Sequence, residues 1–171
     1  GENFVVLPRG LLDAVIKILK DVHAKWKIED KRFLGSPICC EFDGELRPEQ
    51  AVVAKALIMH DSGVLAAGTA FGKTVLAAWM IGERKTNTLI LVNKKPLMSQ
   101  WVERLSQFLN IPQKEIGVWG GGKHKYTGKI DVALIQSLVR RGAVNKEIVG
   151  SYGQLIVDEC HGVPATSFEA V

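Results

Sequence analysis

The feature that most constrains this chain is the segment AGTAFGKT, at residues 67–74. It follows a short apolar run, residues 63–67, that predicts a strand, and it leads into residues 73–82, which predict a helix. In such a loop the backbone N–H groups turn inward, and the N-terminus of the following helix adds partial positive charge. The segment is typical of a P-loop, which binds nucleotide phosphates. A chance Gly-Lys-Thr at a strand–helix junction is the alternative.

The side chains of this loop have separate expected tasks. Lys73 should reach the β- and γ-phosphates, and the Thr74 hydroxyl should ligate Mg²⁺. Gly72 lets the backbone approach a ligand closely. The strict motif begins with glycine, whereas this chain has Ala67 at that position. The residues predicted to contact the nucleotide from this loop are Ala67, Gly68, Thr69, Ala70, Phe71, Gly72, Lys73 and Thr74.

A second motif, Asp158-Glu159-Cys160-His161, directly follows the apolar run at residues 155–157. A strand that ends in Asp-Glu is the Walker B pattern. Asp158 is expected to hold Mg²⁺, directly or through water, and Glu159 to orient and deprotonate the water that attacks the γ-phosphate. A solvated strand end is the alternative, but two motifs in the right order make it a poor one. The predicted catalytic residues are Lys73, Asp158 and Glu159.

The remaining pattern alternates strands and helices after residue 46. This alternation predicts an α/β fold: a parallel sheet with helices on both faces and with sites at the carboxyl ends of the strands. Residues 1–45 instead predict a small α+β accessory domain before the α/β domain of residues 46–171. The predicted helices lie at residues 11–22, from 48 and from 96, and the other predicted strands at 4–7, 26–29, 37–42, 88–92, 118–119, 131–135 and 155–157.

Charge and composition exclude several classes of protein. The net charge of +4 is uneven, because residues 1–46 carry a net −1 and the rest +5, which fits a polyanionic partner. No apolar stretch approaches 18 residues and no signal peptide is visible, so we expect no membrane association and a cytoplasmic protein. The three cysteines show no CxxC spacing, which argues against a disulfide framework or a zinc site.

Five segments in order resemble the motifs of a known family. The chain contains LRPEQ at 46–50, AGTAFGKT at 67–74, LVNKKPLMSQW at 91–101, ALIQSL at 133–138 and LIVDECH at 155–161. They are similar to motifs Q, I, Ia, Ib/Ic and II of superfamily 2 DExH helicases. The greatest similarity is to the type III restriction (ResIII) and nucleotide-excision-repair branch of DNA translocases, and it covers residues 46–171.

The resemblance implies the first RecA-like P-loop NTPase domain, with ATP and Mg²⁺ as cofactors. Gln50 would read the adenine edge, since its amide both donates and accepts, and Arg47 would lie over the base or support Gln50. His161 would couple the nucleotide site to nucleic acid. Ala70 stands where many relatives have a loop glycine. The residues that would contact nucleic acid are Asn93, Lys94, Lys95, Gln136 and Ser137.

The resemblance also implies a function for the longer protein. We expect an ATP-dependent DNA helicase or translocase with a second RecA-like domain beyond residue 171, so that this fragment alone has little or no activity. An RNA-directed DExH helicase and a non-catalytic nucleotide-binding module are the alternatives, and Glu159 argues against the latter. The basic, glycine-rich residues 117–129 are either a loop that embraces a phosphate backbone or a solvated hairpin. At helical spacing, Trp101 is expected in the core.

Overall fold

The computed structural model describes residues 11–29, 33–68, 70–140, 143–144 and 146–160. The chain forms two compact units, Gly1–Arg32 and Phe33–Val171. In the first unit the described residues form one helix, α1 (Leu12–Asp21), and none of its side chains is buried. The strand predicted at residues 4–7 lies outside the described residues. The strand predicted at residues 26–29 is wrong, because this exposed segment pairs with no strand in the described part of the chain.

The second unit contains a five-stranded sheet. Its order is β3-β2-β4-β1-β7; all neighbours are parallel except β2 and β3, which are antiparallel. A separate pair, β5 and β6, is antiparallel. The bounds are β1 (Thr88–Val92), β2 (Gly117–Gly120), β3 (Lys123–Lys125), β4 (Ile130–Leu134), β5 (Val139–Arg140), β6 (Ala143–Val144) and β7 (Gln154–Val157).

Helices cover both faces of this sheet, as expected for the predicted α/β class. Alternate residues of β1 contribute to two separate cores: Ile90 and Val92 pack with α3 and α4, whereas Leu89 and Leu91 face the other way. The opposite core includes Leu138 from a short helix. The helices of the unit are α2 (Pro48–Ile58), α3 (Lys73–Arg84), α4 (Lys95–Phe108), α5 (Ile135–Leu138) and α6 (Lys146–Val149), with a 3-10 turn at Gln113–Glu115.

Two further predicted strands are wrong in this unit. Residues 37–42 make a single bridge, between Pro37 and Thr86, and residues 63–67 form no strand. Val64 is 79% exposed, so the apolar run is not the buried strand that its composition indicates. A short apolar run becomes a strand only when a neighbour supplies hydrogen bonds, and within the described ranges residues 63–67 have no such neighbour.

The unit starts earlier than the predicted domain boundary at 45/46. Residues 33–45 belong to it, because buried Asn87, directly before β1, binds this segment. The Asn87 side-chain oxygen accepts hydrogen bonds from the N–H groups of Ser36 (2.9 Å) and Gly153 (3.0 Å), and its amide donates to the carbonyls of Gly128 and Ser151. The boundary between the two units, after Arg32, is therefore set by hydrogen bonds between residues that are distant in sequence.

Candidate nucleotide site and nucleic-acid face

The loop before α3 has the backbone shape of an anion-binding turn. Ala70 and Gly72 both have left-handed backbones, with φ of 66° and 89°. A Cβ placed on Gly72 would lie 2.4 Å from the Gln50 amide nitrogen, so this position requires glycine. α3 then begins at Lys73 with no side-chain cap and no acidic residue in its first turn. The N–H groups of Val75 and Leu76 donate to the Gly72 carbonyl, so among the described residues those of Lys73 and Thr74 are the ones that a bound anion could use.

Lys73 and Thr74 occupy the first turn of α3. The Lys73 Nζ donates to the Ala67 carbonyl at 3.2 Å, so the ammonium folds back over the loop that precedes it. Both side chains are half-buried. This arrangement holds the ammonium against the loop, with the Ala67 carbonyl as its hydrogen-bond partner.

The structure brings Arg47 and Gln50 to this loop. Gln50 is 3% exposed; its side-chain oxygen accepts from the Arg47 N–H at 2.9 Å, and its Nε2 donates to the Phe71 carbonyl at 2.7 Å. The Arg47 guanidinium donates to the same carbonyl at 2.5 Å and lies 5.9 Å from the Phe71 ring centre. The amide orientation of Gln50 is thus fixed from both sides by the N-terminus of α2 and the loop.

Asp158 and Glu159 follow β7 at the carboxyl edge of the sheet. The Asp158 N–H donates to the Leu91 carbonyl at 2.9 Å and continues the ladder between β7 and β1. One carboxylate oxygen, Oδ2, accepts from the Trp101 indole N–H at 2.8 Å. Glu159 has a left-handed backbone with φ of 54°, which turns the chain out of the strand direction.

The predicted nucleic-acid residues lie together at the same carboxyl edge. Gln136, in the first turn of α5 after β4, donates to the Asn93 carbonyl beyond β1 at 3.0 Å. The Asn93 side-chain oxygen is buried without a partner in the described part of the chain. Lys94 and Lys95 are exposed. Ser137 meets the neighbouring strand, because its carbonyl accepts from the Trp119 indole N–H at 3.3 Å.

Within residues 117–129, β2 and β3 form an antiparallel hairpin, and contact of this hairpin with a phosphate backbone stays a prediction. Gly121 at its turn approaches the aliphatic part of Lys95; a Cβ added there would lie 3.0 Å from the Lys95 Cε. The hairpin carries Lys123 and Lys125 as exposed residues. Lys123, paired with Gly120, adds positive charge at the carboxyl edge near the predicted nucleic-acid residues, whereas the Lys125 ammonium donates to the Lys114 carbonyl before β2.

The chemistry of the predicted metal ligands suits Mg²⁺. Asp158 and Thr74 supply oxygen donors, and Mg²⁺ in nucleotide sites is bound by one or two such side chains together with phosphate oxygens and water. In the described residues no group of three or more histidine, cysteine or acidic side chains is placed to hold a metal by itself. Thr69 and His161 lie outside the described residues, so their predicted roles stay predictions.

A mostly parallel sheet with helices on both faces, a glycine loop at a helix N-terminus and an Asp-Glu pair after a strand define a RecA-like P-loop domain. The sequence model of one family, described as "Type III restriction enzyme, res subunit", matches residues 43–171. The match covers well over half of the chain, and the chain belongs to this family.

The relatives that this chain matches are named as helicases or translocases. The chain is 32% identical over 134 residues to a protein of Acanthamoeba polyphaga mimivirus named "Putative ATP-dependent RNA helicase", covering 76% of this chain and 25% of that protein. It is 32% identical over 124 residues to the DNA 3'-5' translocase XPB2 of Sulfurisphaera tokodaii, covering 72% and 27%. It is 29% identical over 138 residues to the DNA 3'-5' helicase XPB of Mycobacterium tuberculosis, covering 77% and 25%. The chain thus spans about a quarter of the length of each.

Proposed function

We propose that this chain is the ATP-binding domain of an ATP-dependent DNA helicase or translocase. The observation that carries the proposal is the left-handed loop at the uncapped N-terminus of α3, with Lys73 folded over it. A helix N-terminus with inward N–H groups and a lysine binds phosphate rather than a neutral ligand. Gln50, oriented by Arg47 and Phe71 at the same loop, would add recognition of the adenine edge.

Each residue of the site would have one task in hydrolysis. Lys73 would neutralise charge on the β- and γ-phosphates, and Glu159 would accept the proton of the attacking water. Thr74 and Asp158 would hold Mg²⁺. When bound, the ion would offset the negative charge that develops on the phosphates.

Nucleic acid would bind at the carboxyl ends of β1 and β4. Asn93, Lys94, Lys95, Gln136 and Ser137 lie there, beside the basic hairpin, and side chains of this kind contact the phosphate backbone. We propose DNA as the partner because the archaeal and mycobacterial relatives are named as a DNA translocase and a DNA helicase. RNA is the second candidate, because the mimivirus relative is named as an RNA helicase. Coupling between the two sites through His161 is part of the same proposal.

The longer protein would supply a second RecA-like domain. The chain spans about a quarter of the relatives described above, which leaves length for such a domain in proteins of this kind. Arginine fingers from that domain contribute roughly 10³–10⁵-fold in rate in related chemistry. We therefore expect this chain alone to hydrolyse ATP slowly or not at all.

The three free cysteines fit a reducing, cytoplasmic setting. None of the helices in the described ranges is long and apolar enough to cross a membrane.

Calorimetric titration with Mg·ADP and a Mg·ATP analogue tests the nucleotide site. The wild-type chain should show saturable binding, and Lys73→Ala should lose it. Lys55→Ala, the same change at an exposed position of α2, should bind as the wild type does. Equal binding by the Lys73 variant and the wild type would contradict the proposed site.

Glu159→Gln separates catalysis from binding in the full-length protein. The amide cannot accept a proton from water, so ATP hydrolysis should fall by about 10²–10⁴-fold while nucleotide binding persists. Steady-state phosphate release measures the rate. Unchanged hydrolysis would remove Glu159 from the mechanism, and an inactive wild-type protein that still binds ATP would favour the non-catalytic binding module.

A further inference from the structure

Trp101 is a core residue with one polar atom, and that atom points at the proposed metal ligand. The side chain lies on α4, is 4% exposed and packs in the core formed with α3 and the sheet. Its indole N–H donates to Asp158 Oδ2 at 2.8 Å. A buried indole N–H needs an acceptor, and this one has a carboxylate at the carboxyl end of β7 rather than a backbone carbonyl.

This bond restricts the Asp158 side chain to one orientation. The backbone of Asp158 is already held by its N–H, which donates to the Leu91 carbonyl at 2.9 Å. The carboxylate is held at Oδ2, and its other oxygen, Oδ1, has no hydrogen-bond partner within the described part of the chain, so Oδ1 is the oxygen that we expect to coordinate an ion. Since a hydrogen bond between a fixed N–H and a carboxylate is directional and charge-assisted, Oδ1 is presented before any ligand arrives.

We propose that Trp101 is a positioning residue that orients Asp158 toward nucleotide-bound Mg²⁺. The inference rests on the proposed function, in which Asp158 is a ligand of that ion. Trp101 touches neither nucleotide nor metal in this scheme. It acts through Asp158, as partners of metal ligands commonly do, and removal of such a partner typically weakens metal affinity by about 10–100-fold.

The sharpest test compares two tryptophan-to-phenylalanine variants of the 171-residue chain. Trp101→Phe removes the indole N–H and keeps an aromatic ring in the core. Trp79→Phe makes the same chemical change at a half-buried position of α3. Calorimetry of ADP binding with Mg²⁺ and with EDTA measures how much the ion strengthens binding. We expect this Mg²⁺ enhancement to fall about tenfold in Trp101→Phe and to stay unchanged in Trp79→Phe, with metal-free binding equal in all three proteins.

A spectroscopic readout tests the bond without relying on Trp101→Phe folding. The four tryptophans give four indole N–H resonances in a proton–nitrogen NMR spectrum. In Asp158→Asn the acceptor loses its charge, so the Trp101 indole proton should move upfield while the other three stay in place. Addition of Mg·ADP to the wild type should also shift this resonance selectively. If the Trp101 resonance shifts neither in Asp158→Asn nor on addition of Mg·ADP to the wild type, the proposal is wrong.

The outcomes separate this inference from the proposed function. If the wild-type chain binds Mg·ADP and Trp101→Phe shows the same Mg²⁺ enhancement as Trp79→Phe, Trp101 has only a packing role while the nucleotide site stands. If the folded wild-type chain binds no nucleotide, or if Lys73→Ala binds equally well, the proposed site fails and the role of Trp101 fails with it.

Discussion

Ala70 shows how a single residue adapts to the shape of the loop. Its φ of 66° lies in the left-handed region, where an L-residue with a Cβ carries a conformational cost of about 1 kcal/mol or more. Glycine adopts this conformation without that cost, but it also loses more conformational entropy on folding. The two effects oppose each other, so alanine can occupy this left-handed position, for which the resemblance implies a glycine, without preventing the loop from forming.

The first prediction concerns that position. Ala70→Gly should bind Mg·ADP within about twofold of the wild type, because alanine already adopts the required backbone. Ala70→Val should bind at least about tenfold more weakly, since a β-branched residue is a genuine outlier at positive φ. Calorimetry on both variants, with circular dichroism to confirm folding, measures this. Wild-type affinity in folded Ala70→Val would show that the left-handed loop is not required for binding.

At the scale of the elements, the amino-terminal edge of the sheet depends on a buried aspartate. Asp131 begins the pairing of β4 with β2 opposite Gly117, and it accepts hydrogen bonds from the N–H groups of Thr127 and Gly128. Tyr152 donates its hydroxyl to the same carboxylate. Asp131 therefore joins the turn before β4 to the segment before β7, at the edge opposite the nucleotide site.

The second prediction tests the space around this carboxylate. A Cβ on Gly117 would lie 1.4 Å from Asp131 Oδ1, so Gly117→Ala must displace the buried carboxylate or the strand. We expect the free energy of unfolding to fall by roughly 2–4 kcal/mol. Gly63→Ala is the matched control, because a Cβ there has no neighbour within 4 Å, and its effect should be under about 1 kcal/mol. Urea denaturation compares the two, and equal stability would contradict the described packing.

The third prediction follows from the same cluster. Burial, and then the hydrogen bond to Asp131, raise the pKa of Tyr152 well above its ordinary value near 10. A group whose pKa is higher in the folded state contributes stability below its unfolded pKa and loses it as the pH rises. Stability should therefore fall by up to about 1.4 kcal/mol per pH unit above pH 10 through this group. Tyr152→Phe should lack that contribution. Urea denaturation at pH 9 to 11 measures the free energy of unfolding of both proteins. The same change with pH in the wild type and in Tyr152→Phe would contradict the prediction.

At the scale of the whole molecule, positive charge at the carboxyl edge of the sheet should govern nucleic-acid binding. Lys94 and Lys95 are exposed there, whereas the helix of the first unit carries Lys17 and Lys20. Phosphate contacts release counterions, so each lost contact reduces the salt dependence of binding by about one unit of slope on double-logarithmic axes. The two pairs of lysines provide a direct comparison between the units.

The fourth prediction uses that comparison. Lys94→Ala with Lys95→Ala should weaken binding of single-stranded DNA by the full-length protein and reduce its salt slope by about 1–2. Lys17→Ala with Lys20→Ala should leave both nearly unchanged. Fluorescence anisotropy at several salt concentrations, repeated with RNA of matched sequence, gives the slopes and the preference between the two nucleic acids. An equal effect of both double variants would place binding outside the proposed face.

Local patterns were sufficient for the regular elements that carry the motifs. The strand predicted at residues 88–92 is β1, the helix predicted from residue 48 is α2, and the helix predicted from residue 73 is α3. Each has a signal within a few residues: a continuous apolar run for β1, a proline at the start of α2, and apolar periodicity after a glycine in α3. Backbone preference and side-chain spacing are properties of neighbouring residues, so a sequence displays them directly.

The pairing of residues that are distant in sequence could be seen only in the tertiary structure. Residues 26–29, 37–42 and 63–67 have strand-like composition, yet none joins a sheet among the described residues, because a strand also needs a partner with unpaired N–H and C=O groups. The bond between Trp101 and Asp158 connects positions on α4 and after β7 that are 57 residues apart in sequence. A tryptophan at core spacing indicates burial, but the acceptor of its N–H depends on which strand lies beside its helix.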